Sequence, residues 1–496
     1  MLTRRLIVHR QLESNMISIK NAGKLYDIEL ESNDTGLKFK ERIHELTNIP
    51  VERQKILIKG GKLNDDATVS SLNLNLKQPI MVLGTPDKGL PSKPAEKHVF
   101  IEDLNQNQLN KVGMEPSGLV NLGNTCYLNS SLQTLFQINE VTDRLSKFES
   151  TNGVNRTPTE SLTVSLKGVF QQMLKKHESV NPMLFLTLFR NVYPQFAEQE
   201  RGFFKQQDAE EAFSQILNAL GQTLKVGDLF RLSFKTEQKC LALPEETPKI
   251  DYEDAFKLNC HINIKTNFLK DGILDGLKES IEKYNDTLQS NTEYELRRTI
   301  TRLPKFLTVH FVRFFWRRDT QKKSKILRRV QFPFELDVAD MLDESIKEEK
   351  VSIRDKIRKV EKENLDMIRD FKKAKNESTS NPIEQQEEEN MKLLSIKSKF
   401  NDDLKQVLPS NVNLEETTEN PSSVYELSAI ITHSGSSADS GHYQSFVKDQ
   451  NDLDGNKWWK FNDDKVSSVT REKIETLAGG GESDSALILV YKGVGL

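Results

Sequence analysis

Cysteine is scarce in this chain: Cys126, Cys240 and Cys260 are all there is among 496 residues. They are too few and too scattered for a disulfide framework or for the paired Cys-x-x-Cys of a zinc ribbon, so the expectation is a reducing, intracellular setting with no structural metal. Long apolar runs are missing too. None approaches the ~18 residues that a membrane span requires, and Met1 to Met16 is too polar for a secretory signal. Arg4, Arg5 and Arg10 would suit a mitochondrial presequence, but Glu13 interrupts it and such presequences avoid acids, so residues 1–15 read as a disordered leader. Excess charge of one sign is the third absence, since a net charge of -3 gives no sign of a nucleic-acid binder. With 36% hydrophobic and 29% charged residues, what remains is a globular chain with some solvated helix or linker. Its length suits about three ordinary domains, or one large fold and a small module.

What the chain does have is the stretch Gly118-Leu119-Val120-Asn121-Leu122-Gly123-Asn124-Thr125-Cys126-Tyr127, running on to Phe136. Leu128, Leu132, Leu135 and Phe136 recur at helical spacing after Cys126, and the Gly-Asn pair before it suits a turn with an Asn124 cap. The pattern predicts Cys126 in a helix's first turn, where unpaired N–H groups and the dipole favour thiolate and lower the cysteine pKa. Asn121, five residues earlier, is spaced to aim an amide N–H at the same reacting carbonyl. On composition alone a lone cysteine is more often a small core residue.

Ahead of this stretch, Ile17 to Leu30 alternates around Asn21-Ala22-Gly23-Lys24 as a β-hairpin. A helix from about Thr35 to Thr47, with Phe39, Ile43 and Leu46 on one face, stops at Asn48-Ile49-Pro50. Gln54 to Leu63 and Ile80 to Leu83 supply further strands, an α+β arrangement of one helix on a mixed sheet. Residues 85–95, rich in proline and glycine, form a linker.

Behind it, Ala209, Ala212, Phe213, Ile216, Leu217 and Leu220 make an amphipathic helix that starts at Gln206-Gln207-Asp208. Leu303 to Phe314 is β-rich, with His310 a structural residue of that strand, and it ends in a basic run from Arg317 to Arg329 that suits a solvated hairpin. Residues 340–422 differ in kind. Ile353, Ile357, Val360, Asn364, Met367 and Phe371 keep a 4-3-4-3-4 spacing, so we expect an insertion that forms an antiparallel helix hairpin or a coiled coil, helical at its flanks and disordered at the centre of Lys372 to Asn390.

A reactive cysteine needs a base, and His442 stands in Ser440-Gly441-His442-Tyr443, after a small-residue loop from Ser434 and at the start of a strand. Twenty residues on, Trp458-Trp459-Lys460-Phe461-Asn462-Asp463 offers Asn462, with Asp463 as alternate, to orient the imidazole. On spacing alone a lone histidine is more often a satisfied structural residue.

The Gly118 to Phe136 string closely resembles the cysteine box of the ubiquitin-specific proteases, papain-like deubiquitinating enzymes. The Gln206 to Ala209 start, the Leu303 to Phe314 run, the Gly441-His442-Tyr443 and Trp459 to Asn462 boxes and the terminal strand Leu487 to Tyr491 follow in family order. The resemblance covers nearly all of 96–496 outside the insertion. It implies that Cys126, His442 and Asn462 are nucleophile, base and orienter in a cysteine-type hydrolase of isopeptide bonds at the ubiquitin C-terminus, with no cofactor. It further implies that Asp208, with Gln207 beside it, contacts the basic ubiquitin tail and that Tyr443 walls a narrow channel for its two glycines. The chain departs from many members in lacking the zinc ribbon.

Residues 16–84 are similar to ubiquitin itself, yet continue through Gly84-Thr85-Pro86 and so cannot be conjugated. Leu57 and Leu83 fall where ubiquitin's exposed apolar patch would lie, or else fill the small core. The fold class expected is therefore α+β: an N-terminal β-grasp ubiquitin-like domain followed by a papain-like ubiquitin-specific protease catalytic domain with a helical insertion. This layout resembles that of the proteasome-associated family member. It implies docking on the 26S proteasome regulatory particle through Leu57 and Leu83, trimming of ubiquitin from proteasome substrates, and a monomer when free, in cytoplasm and nucleus. The basic run after Phe315 and the loop Ser434 to Gly441 are expected to cover the tail channel until docking moves them. The alternative is a non-catalytic ubiquitin-binding regulator of the proteasome.

Overall fold

Ala22 and Gly23, at φ 45° and 84°, reverse the chain between the strands Ser14–Asn21 and Lys24–Glu31, which pair from Asn21↔Lys24 out to Ser14↔Glu31. The computed structural model describes residues 14–31, 33–58, 61–72, 78–84, 115–150, 156–175, 179–319, 321–375, 382–409, 412–414, 416–437, 440–452 and 455–496. Most of the leader, the linker 85–95, the expected domain start near Glu96 and the centre of the insertion lie outside the described residues. The chain divides into two units, Met1–Leu109 and Asn110–Leu496.

In the first unit the hairpin joins the strands Lys55–Ile58, Gly61–Lys62 and Ile80–Leu83 in a five-stranded sheet, with Ile80–Leu83 parallel to the first strand. The sheet begins two residues before the expected Met16. Thr35 Oγ1 accepts the N–H of Lys38 to cap the helix Gly36–Thr47, and Asn48, at φ 59°, ends it by donating its N–H to His44 O. The helix buries Phe39 and Ile43 against Ile17, Ile19, Ile56 and Val82, whereas Leu46 is 46% exposed. Strand alternation turns the other face outward, leaving Leu57, Met81 and Leu83 at 61%, 48% and 50% exposure. Neither Leu57 nor Leu83 fills the core.

The second unit is built on an eight-stranded sheet. Its central path runs Leu258–His261, Phe306–Val312, Ser485–Gly493, Val424–Ser437, Ser440–Lys448, Lys457–Asn462 and Lys465–Thr470, with Glu335–Asp337 paired to Val424–Ser437. The terminal strand is buried almost throughout, as its unbroken apolar run requires. The helices Cys126–Phe136, Pro158–Leu174, Met183–Val192 and Ala209–Leu224 share one apolar core with Ile431, Tyr443, Val447 and Ile488 from that sheet.

The helices Glu344–Lys375 and Pro382–Val407 form the expected insertion between the paired strands Glu335–Asp337 and Val424–Ser437. Helix extends over residues 372–375 and 382–390, on either side of the expected loose centre. The base is held by Ile353, Ile357, Leu404 and Leu408 against Val424 and Val494, and by Arg354 on Asp337 at 3.0 Å.

Lys249–Ala255, Leu232–Cys240, Ser290–Arg302 and Lys278–Asn285 form, in that order, a separate four-stranded sheet. Among the described residues no group of three or more His, Cys, Asp or Glu could hold a metal. Buried Asn285 ties the turn end of this sheet instead. Its Nδ2 donates to the Tyr294 hydroxyl at 2.8 Å and to Glu246 Oε2 at 3.4 Å, and its Oδ1 accepts the N–H groups of Thr287 and Leu288 at 2.8 and 2.9 Å. Asn285→Ala, which removes a buried amide and strands buried Tyr294 while its other partners are exposed, is expected to cost about 1–3 kcal/mol locally. Hydrogen exchange should then quicken at that turn and not in the terminal strand; unchanged exchange at the turn would contradict the clasp.

Candidate active site

Cys126 is the first residue of a helix buried along nearly all its length, and is itself 2% exposed. The local turn differs from expectation. The cap position belongs to Thr125, not Asn124, and no side chain caps the helix. Thr125 Oγ1 instead accepts the N–H of Leu122 at 2.9 Å and donates to Asn121 Oδ1 at 3.2 Å. Asn124 adopts φ 53° and donates its Nδ2 to Phe204 O at 2.9 Å, fastening the turn to the short hairpin Gln199–Phe204.

The thiol pKa is also a correction. Burial pushes it up to about 11; the backbone N–H of Tyr443 and those of Tyr127 and Cys126 pull the other way, and the Asp463 charge adds to the rise. Helix-end effects of ~0.3–1 kcal/mol amount to less than about one pKa unit. Desolvation therefore wins at rest.

His442 lies in the strand Ser440–Lys448, opposite Ser434. The preceding strand runs on to Ser437, so the expected small-residue loop is largely strand, with 438 and 439 outside the described residues. Gly441 is required there: at φ 120°, a Cβ would stand 2.1 Å from Ser434 O. His442 Nε2 meets Asn462 Oδ1 at 2.6 Å, and since a carbonyl oxygen only accepts, Nε2 carries the hydrogen and Nδ1 keeps its lone pair. Asp463 Oδ2 is 3.9 Å from the same nitrogen, beyond a hydrogen bond. Asn462 rather than Asp463 thus holds the ring. Among the described residues no hydrogen bond joins the Cys126 thiol to His442.

Asp463 does something else. At φ 55° it gives its carbonyl to Leu119 N–H at 2.9 Å, while Oδ2 accepts Asn121 Nδ2 and Oδ1 accepts Asn129 Nδ2, each at 2.8 Å. Gly118 admits this approach, because a Cβ there would lie 2.4 Å from Asp464 O. Asn129 was not singled out from the sequence. A single asparagine among the polar residues of a helix carries no signal until a partner 334 positions away is known.

Tyr443 is not a channel wall. Its side chain is 1% exposed and packs on His433 with ring centroids 4.7 Å apart; its backbone N–H is what faces the thiol. Asp208 caps the helix Ala209–Leu224, its Oδ1 accepting Glu210 N–H at 2.9 Å. Burial raises its carboxyl pKa, that N–H lowers it, and Lys323 of the basic run acts in the lowering direction too. Gln207 Nε2 is buried with no partner among the described residues. His310 bonds Asn259 at 3.4 Å and is pushed down to about 4 by burial, as befits a structural, neutral histidine.

The basic run folds as the hairpin Phe314–Arg317 and Lys322–Lys325. Its base is not solvated. Buried Arg313 donates to the carbonyls of Ile326, Arg328, Ala478 and Ala486, and Lys325, held down at about 8 by burial, donates to His433 O at 2.6 Å. Ser437 Oγ donates to Lys323 O at 3.1 Å, so this hairpin and the turn before His442 are joined. Leu57 and Leu83 belong to the other unit.

A thiol held at about 11 gives a direct expectation. Alkylation of Cys126 by iodoacetamide in the free chain, read by mass spectrometry on its peptide, should climb about tenfold per pH unit from 7 to 10, because thiolate is the reacting form. A plateau below pH 8 would contradict the buried, neutral thiol.

Residues 117–491 match the family model "Ubiquitin carboxyl-terminal hydrolase" and residues 17–87 match "Ubiquitin family". The chain is 37% identical to Ubiquitin carboxyl-terminal hydrolase 6 of Schizosaccharomyces pombe, over 96% of this chain and 98% of that protein. It is 35% identical to Ubiquitin carboxyl-terminal hydrolase 7 of Arabidopsis thaliana (96% and 98% covered) and 29% to Ubiquitin carboxyl-terminal hydrolase 14 of Caenorhabditis elegans (96% and 93%). Among solved structures, the SAGA Ubp8/Sgf11/Sus1/Sgf73 DUB module bound to ubiquitin aldehyde is similar at TM-score 0.49 and 19% identity, covering 77% of this chain and 69% of that one. A cysteine at the start of a buried helix, an asparagine-held histidine and a ubiquitin-like module ahead of them therefore belong to a member of the ubiquitin carboxyl-terminal hydrolase family, a cysteine-type deubiquitinase of the ubiquitin-specific protease kind.

Proposed function

We propose that Cys126 attacks the carbonyl of ubiquitin's last glycine in an isopeptide bond, with His442 as base and Asn462 as its orienter. The observation that carries this reading is the 2.6 Å contact between His442 Nε2 and Asn462 Oδ1, which leaves Nδ1 as the basic atom. His442 takes the thiol proton as the sulfur attacks. The oxyanion is met by the Asn121 amide and by backbone N–H groups at the helix start. Collapse expels the lysine amine, which takes the proton from His442, and leaves a thioester. His442 then draws a proton from water, whose oxygen adds to the thioester carbonyl, and returns it to sulfur as the ubiquitin carboxylate leaves. Asp208 and Gln207 hold the ubiquitin tail: a carboxylate suits its arginine, and the Gln207 amide donor awaits an acceptor.

The chain docks through its ubiquitin-like module on the regulatory particle of the 26S proteasome and trims ubiquitin from substrates there. Exposed Leu57, Met81 and Leu83 support this, since a cluster of outward apolar side chains on a small sheet suits a partner surface. With such a partner the chain works in cytoplasm and nucleus. The free enzyme is weak, because its thiol is buried and protonated, unbonded to His442, and Lys323 of the basic hairpin acts on Asp208 where the ubiquitin tail would bind.

Release of a fluorophore from the ubiquitin C-terminus tests both parts. The wild-type chain should release it and Cys126→Ala should not, with turnover rising at least about tenfold on adding proteasome, equivalent to about 1.4 kcal/mol of barrier. Equal turnover with and without proteasome would sink the restraint; release by Cys126→Ala would sink the mechanism. Leu57→Ala with Leu83→Ala should weaken proteasome binding by about tenfold or more, and unchanged binding would move docking elsewhere.

A further inference from the structure

Asn129 is the buried polar residue that the catalytic set leaves unexplained. It is 2% exposed, three residues after Cys126, where an apolar side chain would pack without burying a polar group. Its Nδ2 donates to Asp463 Oδ1 at 2.8 Å and to the carbonyls of Leu119 and Val120 at 3.3 Å each. Its Oδ1 is buried with no hydrogen-bond partner among the described residues. An orphaned acceptor is a cost, and the other end of the amide is where the return must lie.

That end holds Asp463, whose charge is unhelpful to the chemistry: it disfavours thiolate at Cys126 and would equally oppose an oxyanion formed beside it. The carboxylate is useful through geometry. Oδ1 is taken by Asn129, and Oδ2 accepts one N–H of Asn121. The Asn121 amide is pinned from its other side as well, Oδ1 accepting Gly123 N–H at 3.0 Å, Thr125 N–H at 3.3 Å and the Thr125 hydroxyl at 3.2 Å. In a planar amide, fixing one N–H fixes the direction of the second.

We propose that Asn129 is a positioning residue for the oxyanion donor: it clamps Asp463, and Asp463 turns the remaining N–H of Asn121 toward the reacting carbonyl. The inference rests on the oxyanion role given to Asn121 above. Asn129 touches neither substrate nor thiol in this scheme. It acts through two successive hydrogen bonds.

The full chain with Asn129→Ser, Asn129→Leu, Asn121→Ala and the Asn121→Ala/Asn129→Ser double is assayed for kcat and KM on a ubiquitin C-terminal fluorophore, and for iodoacetamide alkylation of Cys126. Loss of an oxyanion donor costs about 100–1,000-fold in kcat, and loss of its positioner is expected to cost about 10–100-fold. KM and the alkylation rate, which involves no oxyanion, should stay within about twofold of wild type. In the Asn121→Ala background Asn129→Ser should change kcat by less than about twofold, because clamp and donor act as one unit. Multiplying losses, a parallel fall in alkylation, or loss of the folded state in both Asn129 variants would overturn the clamp. A slow Asn121→Ala beside a wild-type Asn129→Ser would overturn the clamp alone, whereas wild-type kcat in Asn121→Ala would overturn the reading of Asn121 beneath it.

Discussion

The constraint on which the second unit depends is the burial of the helix Cys126–Phe136. A helix wrapped by other helices on one side and a sheet on the other is held by packing rather than by its own ends, which is why it manages with no side-chain cap. The same burial deprives its first residue of water and raises the thiol against the helix-end N–H groups. Rigidity and reactivity are thus opposed at one position. The bonds that Asp463 accepts from Asn121 and Asn129 tie this turn to a residue more than 300 positions away, and they fix its geometry while the Asp463 charge adds to the rise at the thiol.

Where pattern is local, the sequence was a good guide. Alternation gave the hairpin Ser14–Glu31, periodicity gave Gly36–Thr47 and Ala209–Leu224, and the 4-3-4-3-4 spacing gave the insertion. Leu57 and Leu83 could not be assigned to core or surface from alternation alone, because alternation has no sign until the helix shows which face it covers. The pattern places Cys126 in the first turn of its helix but says nothing of its pKa, since desolvation depends on what packs over the thiol. Asn124 and Thr125 exchanged places as cap because a left-handed φ at Asn124 suits the turn and removes it from the cap position. Tyr443 was read as a wall because its neighbours form a site; strand alternation sends its ring to the opposite side from His442. The choice between Asn462 and Asp463 required distances, since both are polar and adjacent.

Two features show this fold replacing one kind of restraint with another. At the turn end of the four-stranded sheet a buried asparagine amide gathers a hydroxyl, a carboxylate and two backbone N–H groups. At the base of the basic hairpin a buried arginine has four backbone carbonyls and no carboxylate. Burial lowers the Arg313 pKa to about 10, still far above neutrality, so it remains a cation solvated by backbone alone. Each gathers segments that sequence distance would otherwise leave apart.

The inserted helices leave and re-enter between two strands that pair with each other, so their length is free to vary without disturbing the sheet. The first of them, at 32 residues, reaches about 48 Å. Rooted against Val424 at its base, the pair is a handle. The strand at its root, Val424–Ser437, is the one that pairs with the strand of His442. The base of the handle and the strand of His442 thus share one neighbour, so a pull on the inserted helices would be felt first beside the histidine.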